Sequence, residues 1–134
     1  MDHPCEGTIL LDVLPGAAAD FDSSFLERTG HSVVICHGPD PSDVCPLLTT
    51  GECSKYEGAH GIVFELDLDR AQHRDILRRY RAMARDDLPI RAIVRPGQEL
   101  RYADVLAGVE VVVGEATVAD LDGFAAEVEA AERA

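Results

Sequence analysis

The run Gly61-Ile62-Val63-Phe64-Glu65-Leu66-Asp67 is short, apolar and rich in β-branched and aromatic residues, and a helical pattern over 70–86 follows it. A buried strand feeding directly into a helix is the unit from which parallel sheets are built, so this stretch decides the fold class. Within the helix, Ile76, Leu77, Tyr80, Met83 and Ala84 recur at helical spacing and form an apolar stripe. Arg70, Arg74, Arg78, Arg81 and Arg85 run down another face. Pro89 ends the pattern, and Ile90-Arg91-Ala92-Ile93-Val94 reads as the next strand.

Moving outward, the same alternation continues. Upstream, Thr8-Ile9-Leu10-Leu11-Asp12-Val13-Leu14 is a continuous apolar run broken by Pro15-Gly16, as for a strand buried on both faces. Ala18, Phe21, Phe25 and Leu26 then fall at helical spacing over 18–29, and Ser32-Val33-Val34-Ile35-Cys36 reads as a second buried strand. Downstream, Pro96-Gly97 turns into a helix near 98–107, and Glu110-Val111-Val112-Val113 is a fifth strand. The last helix, over 117–132, gathers Val118, Leu121, Phe124, Ala125 and Val128 on one side, with the Thr117 hydroxyl placed to cap its first turn. Five strands separated by helices predict a single α/β domain: a doubly wound, five-stranded parallel sheet in the order 2-1-3-4-5, flavodoxin-like, with helices on both faces. Only the crossover 37–60 is irregular; its prolines and glycines leave room for at most a short helix near 46–50.

Composition bounds the function. The 134 residues are 46% hydrophobic and 28% charged, ordinary for a folded chain. Aromatic residues make up 5%, there is no Trp, and the net charge is -13, so stacking on bases and whole-surface binding to phosphate backbones are both disfavoured. No apolar run approaches the ~20 residues of a spanning helix, and Met1-Asp2-His3-Pro4 opens no signal peptide, so a cytoplasmic protein without a membrane partner is expected. The charge is uneven: residues 1–69 carry -11, residues 70–101 carry +5 and residues 102–134 carry -7. The basic island marks Arg74, Arg78, Arg81 and Arg85 as a candidate docking face for an acidic protein partner, against the plainer reading of a solvated helix face paired with neighbouring acids. A homodimer stays open.

Several stretches resemble response-regulator receiver domains. Leu26-Glu27-Arg28-Thr29-Gly30-His31-Ser32-Val33-Val34 looks like their passage from first helix to second strand. Ile62-Val63-Phe64-Glu65-Leu66-Asp67 looks like their third strand, and Ile76-Leu77-Arg78-Arg79-Tyr80 with Asp87-Leu88-Pro89 like their third helix and the entry to the fourth strand. The resemblance implies a regulatory module in which Asp12 stands near the acids that hold Mg²⁺ and Asp67 at the phosphoacceptor. Its other functional positions depart from the pattern. Val13 replaces the adjacent acid, Val94-Arg95 carries no hydroxyl, and Glu115 falls where a lysine is expected. A phosphorylated aspartate needs cations to balance its new charge, so Asp67 is not expected to be a working phosphoacceptor. The chain reads as a degenerate receiver, a pseudo-receiver. Asp12, Asp67, Asp69 and Glu115 remain a candidate acidic cluster at the carboxyl edge of the sheet, able to hold Mg²⁺ or to serve a small enzyme; alternatively Arg95 pairs with Asp67 in place of the missing lysine.

The crossover holds a second candidate site. Cys36, His37, Cys45 and Cys53 are the residue types that bind zinc or an iron–sulfur cluster, although their spacings match neither zinc ribbons nor ferredoxins. Cys5 lies ahead of the first strand. A Cys45–Cys53 disulfide would make a redox switch, and four unrelated small buried side chains is the plainer alternative. A segment so rich in Pro and Gly is expected to bury little apolar surface and to gain order from a metal. Three function classes follow: a phosphorylation-independent, non-enzymatic regulatory module, a metal or thiol sensor, and a small enzyme of the acidic edge.

Overall fold

A computed structural model describes residues 8–14, 16–38, 45–51, 53–83 and 88–133. Cys5 and Arg85 therefore lie outside the described residues. In chain order the elements are β1 (Thr8–Val13), α1 (Ala17–Arg28), β2 (Ser32–Cys36), α2 (Pro46–Thr50), α3 (Ser54–Glu57), β3 (Gly61–Glu65), α4 (Ala71–Ala82), β4 (Ile90–Val94), α5 (Gln98–Arg101), α6 (Ala103–Leu106), β5 (Glu110–Val113) and α7 (Val118–Arg133). The five strands form one parallel sheet in the order β2-β1-β3-β4-β5. Right-handed crossovers in this strand order put α1 and α7 on one face of the sheet and α2, α3, α4 and α6 on the other.

The period of two along each strand sorts the core into two layers. Ile9, Leu11, Val13, Val63 and Ile93 point to one face and pack with Leu26 of α1 and Leu121, Phe124 and Val128 of α7. Leu10, Ile62, Phe64, Ala92 and Val94 point to the other and meet Leu47, Tyr56, Ile76, Leu77, Tyr80, Val105 and Leu106. Gly61 opens β3 because α7 lies almost on its backbone: a Cβ there would stand 2.6 Å from Val128 Cγ2 and 2.9 Å from Phe124 Cζ. Thr117 caps α7 as the sequence implied, accepting from the Asp120 N–H at 3.2 Å while Asp120 accepts from the Thr117 N–H at 2.9 Å.

Four sequence expectations need correction. β2 lies at the sheet edge, as the predicted order has it, but is not buried as its apolar run suggested: Ser32 and Ile35 are exposed, because among the described residues no strand lies beyond it. Phe21 and Val118 were assigned to core faces and are 47% and 54% exposed. The helix near 98–107 is two short ones, since Tyr102 leaves helical geometry and sends its hydroxyl to Asp69 at 2.6 Å. The crossover is also more apolar than its Pro and Gly content suggested. It forms α3 as well as α2, and buries Leu47, Tyr56 and Ala59 in the core. Tyr56 stacks on Tyr80 with ring centroids 5.3 Å apart, a packing order that needs no crosslink.

Candidate functional site

The carboxylates named from sequence do not meet in one place. Asp12 pairs in register with Phe64 and Cys36, one residue before the end of β1, and shares the Leu10 face of the sheet. Its side chain is therefore turned into the layer beneath α4, where the Tyr80 hydroxyl donates to Oδ2 at 2.6 Å. Burial pushes the Asp12 carboxyl up to about 7, even though the Tyr80 hydroxyl, the Lys55 charge and the Cys36 thiol all act to lower it. In return, burial and the neighbouring Asp12 hold the Tyr80 phenol far above its ordinary range.

Asp67 stands beyond the end of β3 and is thoroughly partnered. Arg95 Nη1 lies 3.3 Å from its Oδ1 and Arg70 Nε 3.7 Å from its Oδ2, while Gln98 Nε2 donates to Oδ1 at 3.3 Å. The Asp69 N–H donates to the same oxygen at 3.0 Å, and buried His73 accepts the Asp67 N–H through Nδ1 at 3.0 Å. Gly38, at φ +83°, lets the crossover pass this imidazole, since a Cβ would stand 3.1 Å from Nε2. Asp69 faces outward to Tyr102 and Arg101, and the Tyr102 hydroxyl, with the Arg101 charge, holds its carboxyl below the usual range. Glu115 is exposed just past β5. The four-acid cluster expected from sequence does not form: alternation along β1 sends Asp12 inside, Arg70 and Arg95 pair with Asp67, and Arg101 pairs with Asp69.

The residue that ends β3 is Glu65, in register with Val13, and sequence reasoning passed over it in favour of Asp67. Glu65 meets Asp22 of α1 in a carboxyl–carboxylate hydrogen bond. Burial, then Asp22, then the more distant Glu115 push the Glu65 carboxyl up to about 8, so this pair holds a proton at neutral pH. Glu65 also lines a 270 Å³ cavity at the carboxyl edge, together with Arg95, Gln98 and Gly114. The missed signal was parity. Gly61, Val63 and Glu65 share a face, which points the last of them at α1.

The three described cysteines share a cavity without forming a cluster. Cys36, Cys45 and Cys53 line a cavity of about 490 Å³ with Leu10, Asp12, Leu47, Lys55, Ile76 and Tyr80. All three are free thiols, and burial raises the Cys36 thiol above its ordinary value, which makes it a poor nucleophile. His37 was the expected fourth ligand; its Nδ1 is instead 2.7 Å from the Val13 carbonyl, and the residue does not line the cavity. Among the described residues no three His, Cys, Asp or Glu side chains are arranged to hold a metal ion.

The arginine face is engaged within the chain. Arg74 donates to the Leu68 carbonyl at 2.7 Å and lies over the Tyr102 ring, and Arg78 pairs with Asp75 at 3.2 Å. Arg81 donates to the Asp104 and Val105 carbonyls. Arg74 thus ties α4 to the segment after β3 and Arg81 ties it to α6, while Arg78 stays on α4 in an exposed pair with Asp75.

With this geometry in hand, comparison with known proteins is informative only at the level of fold. No family model and no curated protein matches the sequence. Among solved structures, the chain is similar to a response regulator receiver domain protein from Clostridium thermocellum, at 15% identity and TM-score 0.66, covering 95% of this chain and 94% of that one. It is also similar to the Francisella response regulator 1452 receiver domain, at 13% identity and TM-score 0.62 over 96% and 98% of the two chains. NtrX from Brucella abortus, solved in complex with ADP, matches at 14% identity and TM-score 0.67, but only across 27% of its length. The chain has the receiver fold. Against that fold, the carboxyl edge of the sheet carries Glu65 at the end of the third strand, and Asp67 is tied to two arginines beyond it.

Proposed function

We propose that this chain is a regulatory, non-enzymatic module of receiver fold that contacts a protein partner without being phosphorylated on aspartate. The observation that carries the proposal is the state of Asp67, which spends both carboxylate oxygens on Arg70, Arg95 and Gln98. Two ion pairs and a side-chain amide leave it a poor nucleophile, because attack on a phosphoryl donor would first have to break them. Further support comes from Asp12, which a metal-assisted transfer at the edge would need and which is turned toward Tyr80. Glu65, at the strand end, shares a proton with Asp22 and carries a reduced negative charge at neutral pH.

The test is incubation of the full chain with Mg²⁺ and acetyl phosphate, followed by intact mass measurement. The expected result is an unmodified chain, in the wild type and in Asp67→Asn alike. A stoichiometric phosphoryl adduct that is lost in Asp67→Asn contradicts the proposal.

A further inference from the structure

The cavity beneath α2 and α3 holds a polar atom that the fold leaves unused. Asp12 is 1% exposed, its Oδ2 is taken by the Tyr80 hydroxyl, and its Oδ1 has no hydrogen-bond partner among the described residues. A buried carboxyl oxygen without a donor carries a desolvation cost that a bound group can relieve. The cavity has the room for one, since about 490 Å³ lies within the ~300–1,000 Å³ usual for small-molecule sites. Leu10, Leu47 and Ile76 give it apolar walls, and Lys55 and Glu57 stand at its exposed rim with opposite charges.

We infer that this cavity is a binding site for a small organic amine, its ammonium group donating to Asp12 Oδ1 and its apolar body lying among Leu10, Leu47 and Ile76. A water molecule would satisfy the oxygen and leave the apolar walls bare. A neutral donor would satisfy the oxygen and leave an ionised carboxylate uncompensated in a desolvated place. Lys55 compensates that charge only from a distance, because its exposed Nζ turns to the Ile35 carbonyl at 3.4 Å rather than to Oδ1. The net charge of -13 raises the local concentration of cations around the chain. The groups facing Asp12 are Tyr80 from α4, Cys36 from β2 and Lys55 from α3, with Cys45 and Cys53 on the cavity wall. Tyr80 stays un-ionised throughout the neutral range, so the carboxyl is the group whose charge the ligand senses. An ammonium that binds to protonated Asp12 displaces its proton to solvent; one that binds to the carboxylate displaces none.

The experiment is calorimetric titration of the full chain with n-hexylamine and, separately, with 1-hexanol, in buffers of different ionisation enthalpy. Hexylamine is expected to bind about tenfold more tightly at pH 8 than at pH 6, and to release about half a proton per molecule bound at pH 7. Hexanol is expected to bind at least about tenfold more weakly, since it lacks the charge. In Asp12→Asn, shown to be folded by circular dichroism, the pH dependence should vanish with a loss of at least about tenfold in hexylamine affinity. Equal binding of the alcohol, no binding of the amine, binding without proton release, or full affinity in Asp12→Asn would each overturn the assignment. Proton release is read on the wild-type chain, so the outcome does not hang on the variant.

Discussion

Asp12 and Glu65 lie in neighbouring registers of β1 and β3 and face opposite sides of the sheet. Each is a carboxyl that burial pushes toward neutral pH, Asp12 to about 7 and Glu65 to about 8. A carboxyl whose folded pKa is raised binds its proton more tightly in the folded state. Its stabilising contribution is therefore complete below the unfolded value and is lost as pH rises through the folded one. For fully buried Asp12, a rise from 3.8 to about 7 corresponds to a loss of about 4 kcal/mol across that window. Asp12→Asn removes this dependence. Urea unfolding at pH 4 and at pH 8 should show the Asn variant gaining about 3–4 kcal/mol on the wild type between the two. Equal pH dependence of the two proteins would mean that Asp12 is not desolvated as described. Glu65→Gln is expected to act in the same direction, in a window that overlaps this one and extends to about pH 8. The wild type should lose stability progressively from about pH 5 to about pH 8 and the variant hold steady, because the amide can donate to Asp22 without a second charge.

At the scale of elements, the described part of the crossover is anchored in the core through Leu47, Tyr56 and Ala59. Leu47 is 1% exposed and anchors α2 in the core below α4, and Tyr56 stacks on Tyr80 from α3. Leu47→Ala should cost about 2–5 kcal/mol. Amide exchange is expected to speed up most over 45–58 and least in β1 and β3; uniform acceleration would contradict this placement of the anchor. How much was legible in the sequence follows the same division. β1, β3 and β4 are dense β-branched and aromatic runs bounded by Pro or Gly, and their identity and order could be read directly. The partial exposure of β2 was not read, since Val33, Val34 and Ile35 look alike in a central or a terminal strand, even though the predicted order already put this strand at the edge. The acidic site was half legible. The pairing of Arg95 with Asp67 follows from their places after adjacent strands, whereas the burial of Asp12 depends on Tyr80, 68 residues away. That contact is set by packing rather than by spacing, and no local motif announces it. Leu47 and Tyr56 were likewise hidden among prolines and glycines, whose loop signal outweighed two well-placed apolar side chains.

For the whole molecule, the receiver fold and the distribution of charge point the same way. Among the described residues, no helix is long and apolar enough to cross a membrane. Arg74, Arg78 and Arg81 of the basic segment 70–101 bind the chain's own acids and carbonyls. The carboxyl edge of the sheet, where Asp67, Arg95, Gln98 and Glu65 gather, has its negative charge held by arginines or by a shared proton. An arrangement already neutralised in this way has little to gain from a cation and a phosphoryl group. The most direct measurement is the amide spectrum of the full chain with Mg²⁺ and beryllofluoride, which mimics a phosphoryl group on a carboxylate. Unchanged signals for Glu65, Asp67, Arg95 and Glu115 are the expected result, and saturable shifts at these residues that require both reagents would contradict the account.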